Sequence, residues 1–177
     1  MRLLLTPLLC LLATASPSSP GLDVPLSDAE LRKVVITLDR GGCYGDCPIY
    51  DVRITGDGKV QYHGTHFVEA TGARSSKILR SDVRKLVGVF EKAGYFSIGR
   101  DYTYETCSTK ACGFSNDAAS ATTSIRVRGK TYKVSHSFGC RCAPKGLFDV
   151  EAAIDGVGRT VRWVGTEQGG QRAGSSN

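Results

Sequence analysis

Six cysteines stand in three close-spaced pairs, Cys43 and Cys47, Cys107 and Cys112, Cys140 and Cys142, behind an apolar N-terminal stretch that holds the seventh, Cys10. In an exported chain an even set of this kind is most simply a disulfide framework, because thiols oxidise outside the cytoplasm. Compartment therefore decides the reading. Met1-Arg2 supplies one positive charge, Leu3 to Ala13 is an almost unbroken apolar run, and Ala13-Thr14-Ala15 has the small-x-small form of a cleavage site. Residues 1–15 are expected to be a secretory signal peptide. The apolar run is too short to span a bilayer comfortably, and Leu9 stands before Cys10 where a lipoprotein needs a small residue. No later segment approaches a membrane span, so the expected location is periplasmic or extracellular.

The composition after the leader divides the chain simply. Ser16-Pro17-Ser18-Ser19-Pro20-Gly21 opens a stretch, residues 16–31, that reads as a flexible linker. Residues 165–177, rich in Gly, Ser and Gln, read as a disordered tail. Between them, 32–164 has the size of one domain with a real core. The formal charge of +6 falls to +5 when Arg2 leaves with the leader. A basic balance favours acidic partners but says nothing about fold.

Hydrophobic periodicity supplies the fold class. Val34 to Leu38 is a β-branched strand ending at Gly41-Gly42. Tyr50, Val52 and Ile54 alternate with polar residues, Gly56-Asp57-Gly58 reverses the chain, and Val60 and Tyr62 return, so 49–63 reads as a hairpin. A weaker pair of strands is expected around 66–71 and 74–79. Val83, Leu86, Val87, Phe90 and Ala93 then recur at helical spacing, with Ser81 as expected N-cap and Gly94 as stop. A long loop over 99–119 holds Cys107 and Cys112. Ile125 to Val134 forms a second hairpin, and Leu147, Val150, Ile154 and Val157 mark a second helix that begins at Pro144. Val161, Trp163 and Val164 read as a last short strand or a packed extended segment. The whole is an α+β domain: a mainly antiparallel sheet of hairpins with two packed helices.

The run G-G-C-Y-G-D-C-P-I-Y-D-V-R-I-T-G-D-G-K-V-Q-Y, Gly41 to Tyr62, resembles the start of a bacterial family known as domain of unknown function 6438. The later L-V-G-V-F-E-K-A-G-Y-F-S, T-T-S-I-R-V, I-D-G-V and R-W-V segments are similar to the rest of that family. The resemblance covers 34–164 and does not extend to Cys107, Cys112, Cys140 and Cys142. It implies a domain extent and no catalytic residues.

Each cysteine pair admits more than one chemistry. Cys43 and Cys47 can bridge within one turn, with Gly45 relieving the backbone; closing so small a loop contributes roughly 2 kcal/mol in the chain-entropy model. The competing reading is a redox dithiol, although the spacing exceeds C-x-x-C and no thioredoxin-like βαβ unit surrounds it. Cys140 and Cys142, two residues apart, point to one face of an extended chain about 6.6 Å apart and are awkward to join directly. They are expected to bridge to Cys107 and Cys112. Extending the second hairpin backward favours Cys112–Cys140 with Cys107–Cys142, and the other pairing stays open. The same four sulfurs have the spacing of a tetrahedral zinc site, a third reading that oxidation after export opposes.

The remaining residues point away from catalysis. His63, His66 and His136 are scattered without spaced carboxylates and read as surface or packing residues. Asp57 belongs to a turn, Asp51 to a polar face, and Asp46 and Asp101 have no partner at a cooperating spacing. Ser135-His136-Ser137 lacks a nucleophile elbow. Two basic regions, Arg74, Lys77, Arg80, Arg84 and Lys85, and Arg126, Arg128, Lys130 and Lys133, would meet an anionic envelope component or an acidic protein if the fold merges them. An exported chain without an aromatic stacking platform is not expected to bind nucleic acid. The sequence therefore predicts an exported, disulfide-stabilised binding or scaffolding module of the bacterial cell envelope without a cofactor, with thiol–disulfide redox and structural zinc as alternatives.

Overall fold

The computed structural model describes residues 22, 25–99, 101–107 and 113–165. The expected signal peptide, Cys112 and most of the expected tail lie outside the described residues. The elements in chain order are α1 (Asp28–Arg32), β1 (Val35–Gly41), β2 (Ile49–Thr55), β3 (Lys59–His66), β4 (Gly72–Lys77), α2 (Arg80–Lys92), α3 (Tyr104–Cys107), β5 (Ser120–Val127), β6 (Lys130–Ser137), α4 (Lys145–Gly158) and α5 (Val161–Val164). The six strands form one antiparallel sheet in the order β4-β3-β2-β1-β5-β6. The α+β expectation is met.

Strict alternation on β2, β3 and β5 sends every second side chain inward, and that buried phase meets the apolar stripes of α2 (Val83, Leu86, Val87, Phe90) and α4 (Leu147, Val150, Ile154). Burial of a side chain of this size contributes about 1.5 to 3 kcal/mol, so the pattern fixes which sheet face the helices cover. The other phase is left to solvent.

Several boundaries differ from expectation, each for a local reason. The stretch 16–31 does not stay a linker to its end: Ser27 and Glu30 form a capping box that starts α1, and Leu26 and Leu31 are buried. Arg84 ties this segment to α2 through the Leu26 carbonyl at 2.5 Å and Asp28 at 2.6 Å. The weak strand expected over 66–71 is a loop, because β3 itself runs on to His66 and pairs with β4 from Gly72. Helix α2 begins at Arg80 with Leu79 as N-cap, so Ser81 sits inside the first turn, while Gly94 stops it at φ 64° as expected. The terminal segment is neither strand nor extended: α5 is one helical turn, and Trp163 and Val164 accept backbone hydrogen bonds from Ala70 and Glu69.

Candidate functional site

The register brings three rows of outward-facing residues across the open sheet face. The central row runs Ser75, Gln61, Arg53, Thr37, Ser124, Lys133 from β4 to β6, a distance of about 24 Å at the usual strand spacing. Toward one end of the strands Lys59 stands opposite Lys77, and Val35 opposite Arg126. Toward the other end lies the row Ala73, His63, Asp51, Asp39, Thr122, Ser135. Charge is thus segregated along the strands, basic at one end and in the middle, acidic at the other. Arg53, Lys59, Lys77, Arg126 and Lys133 are exposed and make no ion pair among the described residues. A depression of ≈ 480 Å³ on this face is lined by Arg53, Lys59, Gln61, His63, Arg74 and Asp51.

The two basic regions expected from sequence do not merge directly. Their strands occupy opposite edges of the sheet, and Arg53 and Lys59 in between connect them. Arg84, Lys85 and Arg128 leave the patch, since they pair with Asp28, Asp82 and Glu30; Lys130 covers the Tyr132 ring at 4.6 Å. Asp39 was invisible as a candidate because its partner, Asp51, is set by register. Partial burial and the facing Asp51 raise its carboxyl above the ordinary range, against the pull of Lys133. His63 lies 3.7 Å from Asp51 on the same exposed row. Asp57 serves its turn, accepting from the Thr55 hydroxyl and the Lys59 amide, and Asp101 accepts from the Ser135 amide at 2.7 Å.

A second constellation lies on the buried side, and sequence reasoning missed it. Tyr50, Arg40, Ala121 and His136 form one row across β2, β1, β5 and β6, and α4 lays Glu151 and Asp155 over it. Arg40 donates to Glu151 at 3.0 Å and Asp155 at 2.8 Å; Tyr50 and Thr160 each donate to Asp155 at 2.9 Å; His136 Nδ1 lies 2.8 Å from Glu151. Burial alone opposes the Arg40 charge, but Asp155, Tyr50 and Glu151 outweigh it and raise the pKa of the guanidinium. Burial, then Asp155, pushes the Tyr50 phenol up. The His136 ring is enclosed by Phe138 and Phe148 with centroids 5.0 and 4.5 Å away, and its Nε2 finds no partner among the described residues. His136 is 2% exposed and packs among aromatic rings. The available signal was phase: Arg40 continues the inward register of Ile36 and Leu38, and Glu151 interrupts the apolar stripe of α4.

The cysteines fall into two groups. Cys43–Cys47 closes the turn between β1 and β2 with Cα atoms 5.6 Å apart, carrying Tyr44 at 89% exposure and Gly45 at φ 142°. The second group departs from the favoured pairing: Cys107 bonds to Cys140, not Cys142, with Cα atoms 5.7 Å apart. The backward extension of the hairpin is real, and it delivers Phe114 opposite Cys140. Tyr102 then runs parallel to the outer edge of β6, bonded to Ser135 and Ser137, and the helical turn α3 sets Cys107 over Cys140. Cys142 is disulfide-bonded as well, and its Sγ lies 3.7 Å from that of Cys140. With Cys107, Cys140 and Cys142 in disulfides, the zinc reading does not describe this oxidised form, because a thiolate is the metal ligand.

Fold and sulfur framework together define a disulfide-stapled α+β domain. The chain matches the family model described as domain of unknown function (DUF6438) over residues 34–158, and it belongs to that family. No curated protein matches it. No helix among the described residues is long and apolar enough to cross a membrane.

Proposed function

We propose that this protein is an exported binding module that meets an anionic component of the bacterial cell envelope through its open sheet face. The observation that supports this reading is the set of five exposed cations, Arg53, Lys59, Lys77, Arg126 and Lys133, held without ion-pair partners among the described residues. Lys59 directly opposite Lys77 is a like-charge cross-strand pair, which disfavours the sheet by a few tenths of a kcal/mol. An anionic ligand bound between the two ammonium groups offsets that repulsion. Among the described residues the strand rows of this face present no exposed Phe, Tyr or Trp, so recognition is electrostatic, spread over the sheet and weakened by salt.

The test is sedimentation of the chain with vesicles rich in phosphatidylglycerol, over a range of salt concentrations. The expected result is binding that weakens steeply with salt, falls at least tenfold in Arg53→Glu/Lys133→Glu, and strengthens in Asp39→Asn/Asp51→Asn. Salt-independent retention, or unchanged binding in the charge-reversed variant, overturns the reading.

A second reading rests on the half-buried Cys43–Cys47 bond in its exposed turn, which a reductant reaches more readily than the buried Cys107–Cys140 bond. In it the Cys43 and Cys47 thiols, as a dithiol, pass two electrons to a partner disulfide and re-form their own bond. A Cys43–Cys47 bond that resists mild dithiol, in a chain that reduces no peptide disulfide, sinks it.

A further inference from the structure

We propose that Cys107, Cys140 and Cys142 form, in the reduced chain, a site for one thiophilic divalent ion of the zinc class, and that disulfide formation abolishes it. The three Sγ atoms lie within 4.8 Å of one another. A tetrahedral zinc ion with Zn–S bonds of about 2.3 Å sets its sulfurs about 3.8 Å apart. Cys140 and Cys142 already stand 3.7 Å apart, one edge of that tetrahedron; Cys107 Sγ, bonded to Cys140 Sγ in the oxidised chain, has to move away from it on reduction to supply the third corner.

Three backbone hydrogen bonds on two chain segments hold this geometry. Cys107 ends α3 with its amide on the Thr103 carbonyl at 3.0 Å; the Cys140 amide bonds Ser137 at 2.9 Å; the Ala143 amide bonds the Cys140 carbonyl at 3.2 Å, turning Cys142 back toward its neighbour. Phe114 pairs antiparallel with Cys140 and fixes this turn from the other side. None of these contacts uses the sulfurs, so they remain available to hold the site's backbone when the S–S bonds are reduced. Cys107 and Cys140 are 0% and 2% exposed, which keeps competing water out. Cys142 is half-buried and gives the ion an approach.

The chemistry balances with an external dithiol as reductant. Each disulfide accepts two electrons and two protons and becomes two thiols, while the dithiol closes to its own disulfide. The ion then displaces the protons of Cys107, Cys140 and Cys142, giving a site of three thiolates and one dication with one corner left for a further ligand. Oxidation runs the sequence backward and expels the ion.

The full chain, reduced anaerobically with a phosphine, is titrated with Co²⁺ and then Zn²⁺. The expected result is one Co²⁺ per chain with a thiolate-to-cobalt charge-transfer band, displaced by one Zn²⁺. The oxidised chain gives no band, Cys140→Ser and Cys142→Ser each weaken binding at least tenfold, and Cys43→Ser/Cys47→Ser leaves it unchanged. If reduction loosens the fold, circular dichroism follows the same titration, and Zn²⁺ is expected to restore the native spectrum. A reduced chain that gives no band, a loosened chain that Zn²⁺ does not restore, or a band that persists in Cys140→Ser and Cys142→Ser overturns the proposal.

Discussion

Arg40 is the single side chain whose loss should be felt most. It sits in the inward phase of β1, 18% exposed, and neutralises Glu151 and Asp155 together. Removing it leaves two carboxylates facing each other in a poorly solvated site, and breaking a buried pair from one side typically destabilises by about 3–5 kcal/mol. Arg40→Met should therefore lower the urea midpoint by that equivalent; a change under about 1 kcal/mol would show that water already screens the pair. Tyr62 predicts the opposite sign. Its ring packs between Tyr50 and Trp163, at centroid distances of 5.5 and 5.0 Å, while its hydroxyl has no partner among the described residues and burial pushes its pKa up to about 12. Tyr62→Phe keeps the ring and deletes an unpaired polar group, so denaturation should show a gain of about 1 kcal/mol.

Among the elements, α1 is the one with the clearest pH signature. Glu30 accepts from the Ser27 amide at 2.8 Å and from Arg128 at 2.9 Å; these bonds, the Ser27 backbone first, hold its carboxyl down at about 2, against 4.5 unperturbed. A depressed carboxylate stabilises the fold above its unfolded value and loses that contribution as pH falls through its folded value. Urea midpoints should therefore separate wild type from Glu30→Gln above about pH 4.5 and converge toward about pH 2. Composition alone makes this segment look like linker, because five residues have too few turns for a periodic signal; S-D-A-E, the capping box, is its mark in the sequence. Legibility elsewhere follows the same logic. The hairpins of β2–β3 and β5–β6 and the helices α2 and α4 were plain, since alternation and helical spacing both repeat there. Segment 161–164 was not: Val161, Trp163 and Val164 fit strand or turn alike, and tertiary bonds to Glu69 and Ala70 decided it. The candidate face was half legible, as two basic regions whose bridging residues, Arg53 and Lys59, only strand order could supply. The buried row around Arg40 was not legible as a cluster, because its five side chains come from four separate elements.

For the whole molecule, the Cys107–Cys140 bond spans 33 residues and pins the long connection between α2 and β5 to the end of β6. In the chain-entropy model such a closure contributes about 3 to 4 kcal/mol, so Cys107→Ser/Cys140→Ser should lower the thermal midpoint well below that of Cys43→Ser/Cys47→Ser, whose bond closes a much smaller ring. Equal losses would mean that the long segment is held by its contacts with Ser135, Ser137 and Phe114 alone. Neither pair of substitutions touches the open face, so binding there should survive below the melting transition. The buried charges carry a different kind of information. Apolar alternation repeats every two residues, so a strand shifted by two would still bury a hydrophobic side and satisfy its ladder. Arg40, Tyr50 and His136 each occupy one position in that repeat, and Glu151 and Asp155 can reach them in a single alignment. A shift of β1 by one step of the pleat would strand a guanidinium among apolar side chains and leave two acids unmatched. The polar row thus acts as an index mark for the assembling sheet, excluding misalignments that oiliness alone would accept.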